Sequence, residues 1–456
     1  MAKRNKILLI ITLLLYGVFI IPGWNMQIKA LGALLIIQLL WIGRVFPLAF
    51  SSLLFILIVA FHFLTYDEAL SYFGSSLVWL LFSTFILAHA FIKTGLANRI
   101  SLSILSLAKG SGRLLVFVSF ILEFVLTILI PSNIGKGQLI SSILNDLIQN
   151  LRELHHAKNV GKSLFIGIAY VSALSAAFVP TGASSTIYAF GMFSGISHQM
   201  NYLTWILSIG VPICVFVFFL WFIFLYRFPI EQIDVRLIRQ LIQAKKQKLG
   251  PWKREEIRMA LIISVTICLW LTQPLHHQPI SLIALLGAIL ATFPSIGVMK
   301  WSEVKTAVEW DMMIFFASTL MLSNVLVETG TLNTLASFFI NNSHALSSSH
   351  IVVGFIILTA LVRVVFVNVL GYLTIILPLA LAVGEQLQVS PLVLAMGVYL
   401  AAVPGFLLIT QSPVHLISYS YNHFQTGDLL KVGFVSMAVW VAVIIISMFL
   451  YWNFIL

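Results

Sequence analysis

Three charged side chains stand inside stretches that otherwise read as hydrocarbon: Glu123, Lys136 and Arg363. A charge at bilayer depth is costly and marks function by default. Breaks in the apolar text lie close by. Pro131-Ser132-Asn133 precedes Lys136, and Asn368-Val369-Leu370-Gly371 follows Arg363. Two further breaks, Val179–Thr186 and Leu408–Pro413, carry Pro, Ser and Thr, with Gly182 in the first. Such residues interrupt the helical hydrogen-bond ladder. A helix restarting at a break aims free N–H groups and the positive end of its dipole into the gap, which favours an anion. Unwound carbonyls and Ser, Thr or Asn oxygens suit a small cation such as Na⁺. The expected substrate contacts are therefore Ser132, Asn133, Lys136, Thr181, Asn368, Ser412 and Pro413. The expected cation ligands, if a cation is coupled, are Ser132, Asn133, Gly182, Asn368 and Gln411.

Each charge has more than one reading. Lys136 attracts a carboxylate or stands in for a bound cation, with snorkelling to a watery mouth as the structural alternative. Arg363 binds an anion or a neighbouring carbonyl, and Glu123 pairs with a basic group or takes a proton or cation. His62 and His89 lie alone on apolar segments and read as packed or hydrogen-bonded residues. No zinc pair, nucleophile elbow or phosphate-binding glycine loop occurs, so no enzyme, catalytic residue or resident metal is expected. No cofactor is expected beyond Na⁺ as a coupling ion.

The elements that position these residues follow from composition. The chain of 456 residues is 60% hydrophobic and 9% charged, more apolar surface than water tolerates, so the bilayer is the solvent. In lipid only helices or a closed barrel satisfy the backbone, and the long unalternating apolar runs select helices. Cys214 and Cys268 sit within apolar segments and are expected to be packing residues, with no disulfide framework. Ile7–Pro22 follows Lys3, Arg4 and Lys6 without a small-residue cleavage site, and reads as a retained first span. Ten further crossings are expected, at Ile28–Gly43, Val45–Leu64, Leu77–Thr94, Ser163–Gly195, Leu203–Arg227, Ile257–Gln273, Pro279–Phe293, Asp311–Glu328, Pro391–Tyr421 and Val432–Phe454. The broken stretches Arg113–Asn150 and His350–Glu385 read as re-entrant helical hairpins; two ordinary spans each is the competing reading.

The sequence also echoes itself. Thr94-Gly95 recurs as Thr329-Gly330, Asn98 as Asn333 and Asn133 as Asn368, all at one offset (329 − 94 = 235). After the first span, five crossings belong to each half, and an odd number forces the second half upside down. The expected fold is an all-α polytopic membrane protein. It holds an inverted repeat of five spans each plus an extra first span, two re-entrant hairpins and two unwound transmembrane helices. Its expected parts are a first span (1–27), a first repeat (28–227, hairpin 113–150), a basic cytoplasmic linker (228–256) and a second repeat (257–456, hairpin 350–385). With the N-terminus cytoplasmic and the C-terminus outside, only Lys29, Lys136 and Arg363 of the 26 basic residues fall elsewhere than the inner face. That bias in an inner (plasma) membrane explains the net charge of +11 without nucleic acid.

Several stretches resemble the divalent-anion/sodium symporter family. Phe91-Ile92-Lys93-Thr94-Gly95-Leu96 is similar to the end of one of its spans. Pro131-Ser132-Asn133-Ile134-Gly135-Lys136-Gly137 resembles its first hairpin tip, with its Ser-Asn-Thr signature. Thr374–Pro378 with Val383-Gly384 resembles the outgoing arm of the second hairpin, and Ser412-Pro413 with Tyr419–Phe424 and Gly427–Gly433 the second unwound segment. The resemblance implies homodimers of eleven-span protomers and elevator-type transport of di- or tricarboxylates or sulfate. It places Ser132, Asn133 and Gly182 in a first cation and substrate region, and Asn368, Ser412 and Pro413 in a second. Ile134 replaces the signature Thr, and the second tip reads Val367-Asn368-Val369, so two hydroxyls that would hold carboxylates are missing. Lys136 stands where the carboxylate-exchanger branch carries Arg, which makes sodium-free exchange an option.

The expectation is a secondary transporter of small organic anions such as succinate, malate, 2-oxoglutarate or citrate, by sodium symport or anion exchange. The alternatives are a sulfate or oxyanion transporter and a cation/proton antiporter on the same scaffold.

Overall fold

The computed structural model describes residues 3–130, 132–154, 157–197, 199–231, 235–342 and 346–455. Pro131, the proline of the first expected break, lies outside the described residues. The principal helices are α1 (Lys3–Leu15), α2 (Met26–Gly43), α3 (Leu48–His62), α4 (Ser76–Lys93), α5 (Leu96–Leu105), α6 (Gly112–Leu129), α7 (Asn133–Leu154), α8 (Lys158–Phe178), α9 (Ser184–Ile196) and α10 (Val211–Arg227). They continue with α11 (Val235–Lys248), α12 (Arg254–Leu271), α13 (Ile280–Thr292), α14 (Trp310–Glu328), α15 (Thr331–Asn341), α16 (Ser348–Val362), α17 (Val369–Gln386), α18 (Pro391–Ala402), α19 (Pro413–Ser420) and α20 (Thr426–Ile446). Among the described residues, seven helical stretches are long and apolar enough to cross a membrane.

Lipid is visible in which apolar residues are left uncovered. Along α10, Val215, Phe218, Phe219 and Phe222 are exposed while Ile213, Phe216, Leu220 and Phe224 are buried. A helix apolar on both faces, with one face open, belongs against hydrocarbon. Cys214 and Cys268 are exposed in the same way, so the expectation that they pack inside is corrected: they point outward from the bundle.

Local chemistry sets the helix ends. Ser111 accepts from Leu114 N to start α6, and Ser390 from Val393 N to start α18 with Pro391 next in line. The echoed Thr-Gly pairs do the same job twice. Thr94 and Thr329 close α4 and α14, and Gly95 (φ +84°) and Gly330 (φ +70°) take the left-handed conformation before α5 and α15.

The broken stretches divide as helix pairs: α6 ends at Leu129 and α7 begins at Asn133, while α16 ends at Val362 and α17 begins at Val369. Their breaks fall where the sequence placed them. The other two breaks differ in length. The first is short, with α9 restarting at Ser184, and the second runs from Val403 to Ser412 with one 3₁₀ turn at Ile409–Gln411. Helix α8 forms the hub: Phe165, Tyr170 and Leu174 are fully covered, and the Tyr170 hydroxyl reaches Phe406 O (2.7 Å) and Leu429 O (2.8 Å) in the second half.

The basic linker contains a helix the sequence reading had not resolved. In α11, Ile238 and Ile242 are buried beneath a basic outer face. Arg99 of α5 clasps the turn after it, donating to the carbonyls of Gly250 (3.2 Å) and Pro251 (3.1 Å) and to Glu256 Oε1 (3.0 Å). Burial alone would raise the Glu256 carboxyl. The Arg99 hydrogen bond and the Lys253 N–H outweigh it and hold the group below its ordinary range.

Candidate functional site

Four helices begin at one cavity. α7 starts at Asn133 and α9 at Ser184; α17 starts after Asn368 and α19 after Ser412. The cavity has a volume of about 260 Å³, and its walls include Ser132, Asn133, Ser184, Ser185, Asn368, Ser412 and Pro413. Converging N-termini sum their positive ends and unsatisfied N–H groups, a ready environment for an anion.

The polar side chains around it are partly committed. Asn368 Oδ1 accepts from Leu370 N (3.0 Å), capping α17 and leaving its amide nitrogen to donate elsewhere. Ser412 Oγ accepts from Val414 N (3.3 Å), and Ser132 Oγ from Gly135 N (3.3 Å). Asn133 Oδ1 is buried without a hydrogen-bond partner among the described residues. An orphaned acceptor costs roughly 1–3 kcal/mol, so it is a vacancy for a donor or a cation.

Five expected contacts therefore meet in one cavity: Ser132, Asn133, Asn368, Ser412 and Pro413. Four do not reach its walls. Thr181 lies beside a separate small cavity with Thr84, Thr266 and Trp270, its hydroxyl 3.5 Å from the Tyr202 hydroxyl. Gly182 packs where a Cβ would stand 2.2 Å from Ala176 O and 2.8 Å from Thr127 Cγ2. Gln411 Oε1 accepts from Leu407 N (2.8 Å) and Leu408 N (2.7 Å), so it braces the unwound chain and has no oxygen left over for a cation.

Lys136 is the fourth, and it is fully covered. Its ammonium donates to Thr127 Oγ1, to Ser175 Oγ (2.7 Å) and to Ser172 O (3.2 Å), and lies 3.4 Å from Glu123 Oε2. Glu123 in turn accepts from Ser172 Oγ (2.9 Å). This is an oxygen nest of the kind that holds a small cation, filled by a protein amine. Arg363 plays a matching part behind the second tip. Its guanidinium donates to the carbonyls of Phe366, Ala402 (2.8 Å) and Gln411 (3.0 Å), tying the tip to the unwound segment. Of the readings open for Arg363, the structure shows the carbonyl one.

Two charged residues at the cavity were missed: Arg44 and Glu309. Arg44 follows α2 with φ +48°, and Glu309 precedes α14. Both sit at the ends of spans, where a charge reads as topology, and only tertiary packing brings them to the breaks.

A bundle of membrane helices whose interior breaks gather positive helix ends around a cavity defines a transporter of anions. The chain matches the family model described as the sodium:sulfate symporter transmembrane region over residues 2–456, and it belongs to that family of divalent-anion/sodium symporters. It is 24% identical to the sodium-dependent dicarboxylate transporter SdcS of Staphylococcus saprophyticus, over 90% of this chain and 83% of the relative. It is 22% identical to the L-tartrate/succinate antiporter of Escherichia coli K12, over 83% and 79% of the two chains. Identity to the inner membrane protein YbhI of the same organism is 27%, over 71% and 70%. The protein is an integral membrane transporter and not an enzyme.

Proposed function

We propose that this protein exchanges small organic anions, di- or tricarboxylates such as succinate, malate, 2-oxoglutarate or citrate, across the inner membrane without sodium. One observation carries the reading. The oxygen nest behind the first tip is filled by the Lys136 ammonium, and the carbonyls behind the second by Arg363. The ammonium takes the oxygens a Na⁺ would need and leaves that ion nothing to bridge. Among the described residues Arg363 has carbonyl partners and no carboxylate, so its charge adds to the helix ends in favouring an anion at the cavity. Ser132, Asn133, Asn368, Ser412 and Pro413 hold the substrate in this reading. Thr181, Gly182 and Gln411 support the breaks from behind.

The two halves, in this proposal, run as inverted repeats whose hairpins enter from opposite faces. The unit of α6–α9 and α16–α19 carries the cavity past a scaffold of α1–α4 and α12–α14 in an elevator movement. The protomers pair as homodimers, with the N-terminus cytoplasmic and the C-terminus outside. Antiport between related dicarboxylates, as the name of the E. coli relative describes, suits two built-in cations better than symport does.

Proteoliposomes loaded with unlabelled succinate, malate or citrate test this by uptake of the labelled anion, with Na⁺ or with choline. Counterflow of equal rate in both media is expected. Uptake that needs a sodium gradient would replace exchange by symport, and uptake of sulfate alone would move the substrate to inorganic oxyanions.

A further inference from the structure

A second chamber adjoins the tip cavity. It measures about 440 Å³ and lies between the α2–α3 corner and the second tip, sharing Arg44, Leu48, Val367 and Asn368 with the first. Its polar residues are incompletely used. Gln38 is 8% exposed; its Nε2 donates to Gly371 O (3.2 Å), and its Oε1 is buried with no partner. Arg44 makes no hydrogen bond or ion pair with a described residue, and it is the one basic residue along either chamber among them. Its backbone is fixed at φ +48° where α2 ends, and a guanidinium lacking a carboxylate there is placed to receive one. Trp41, Phe315 and Phe366 supply apolar walls.

We propose that this chamber is a second substrate subsite. Arg44, with the donor left free on Asn368, takes a carboxylate, and Gln38 Oε1 accepts from a substrate hydroxyl. The inference rests on the reading of the protein as a carrier of organic anions and deepens it. The preferred substrate is a hydroxylated polycarboxylate with one end at the helix starts, a carboxylate at Arg44 where the chambers meet, and its hydroxyl at Gln38 in the second. An unhydroxylated dianion fills only the first chamber well and leaves the Gln38 acceptor unpaired.

Citrate and tricarballylate differ only by the hydroxyl, and citrate and succinate differ in length and charge. Equilibrium binding of these three to the purified full chain reads the subsite as ratios. Wild type is expected to prefer citrate to tricarballylate by about 3- to 10-fold, the worth of one hydrogen bond. Gln38→Leu should bring that ratio to near one. Arg44→Gln should weaken citrate by roughly 10- to 100-fold and succinate by less, since a charge-assisted contact is lost. Arg44→Lys should recover part of the loss. Should Gln38→Leu not fold, Gln38→Glu places a negative charge in the chamber and should depress citrate binding more than succinate. Wild-type binding of succinate with all these ratios unchanged in the variants overturns the subsite and leaves the carrier reading standing. Failure of wild type to bind any of the three anions removes both.

Discussion

At the residue scale the central fact is a lysine and a glutamate sealed together away from water. Both side chains of the Lys136–Glu123 pair are fully covered. Removing one partner of such a pair strands the other charge, at a cost of about 3–5 kcal/mol, whereas replacing both with apolar groups of similar shape is far milder. Lys136→Ala alone is therefore expected to lower the melting temperature sharply and to cut exchange. Lys136→Met with Glu123→Leu should restore folding but not sodium-free exchange. If the amine stands in for a coupled cation, Lys136→Ala, where it folds, should gain a response to Na⁺. Equal exchange by the double variant and wild type would make the pair a packing device only. The two tip asparagines are a separate matter. Asn133→Ala removes the orphaned acceptor, and Asn368→Ala removes both a helix cap and a free donor. Each should weaken succinate binding about tenfold, with the larger loss of stability in Asn368→Ala because a cap is worth roughly 1 kcal/mol. Wild-type affinity in both would take the tips out of the site.

At the element scale the breaks were legible and their surroundings were not. Asn133, Asn368 and Ser412 announce helix starts because each has a short side chain that accepts from, or replaces, backbone donors, and such residues stand out in apolar text. Helix α11 was hidden because its basic residues read as a run of charge. The signal was present in Val235, Ile238, Leu241 and Ile242, spaced at helical intervals, with Ile238 and Ile242 buried. Gln38, Arg44 and Glu309 were beyond reach, since nothing near them in sequence says which break they face. Thr181 and Gln411 were assigned by belonging to a break, yet their side chains turn to Tyr202 and to the chain's own N–H groups. The compactness of the first break gives a prediction that belongs to it. A Cβ on Gly182 would meet a backbone carbonyl at 2.2 Å, which cannot swing aside, whereas one on Gly354 in α16 meets nothing within 4 Å. Gly182→Ala should therefore yield little monodisperse protein in size-exclusion chromatography. Gly354→Ala should match wild type within about 0.5 kcal/mol, as an exposed site does. Equal yields would mean that the α8–α9 corner adjusts more freely than its packing indicates.

At the scale of the whole molecule the question is whether the unit bearing the cavity moves against its frame. Among the described residues the second tip meets α2 through one side-chain hydrogen bond, the Gln38 donation to Gly371 O (3.2 Å). One neutral hydrogen bond is worth only about 1 kcal/mol, a weak latch that thermal motion can release. An elevator needs such a contact to break on every cycle; a fixed pore or a rocking bundle closed around this tip does not. A cysteine pair at these positions separates the cases. A side chain on Gly371 meets only ordinary contacts, the nearest being Trp41 Cε3 at 3.8 Å and Gln38 Oε1 at 3.9 Å, so Gly371→Cys fits without strain. With Cys214 and Cys268 first replaced by Ala, Gln38→Cys together with Gly371→Cys should bridge through Hg²⁺. Exchange should then stop, and a thiol reductant should restore it, while either single variant keeps its exchange in Hg²⁺. Bridged protein that still exchanges succinate would show that the second tip stays against α2 throughout transport. The moving part would then have to be sought in the first hairpin alone.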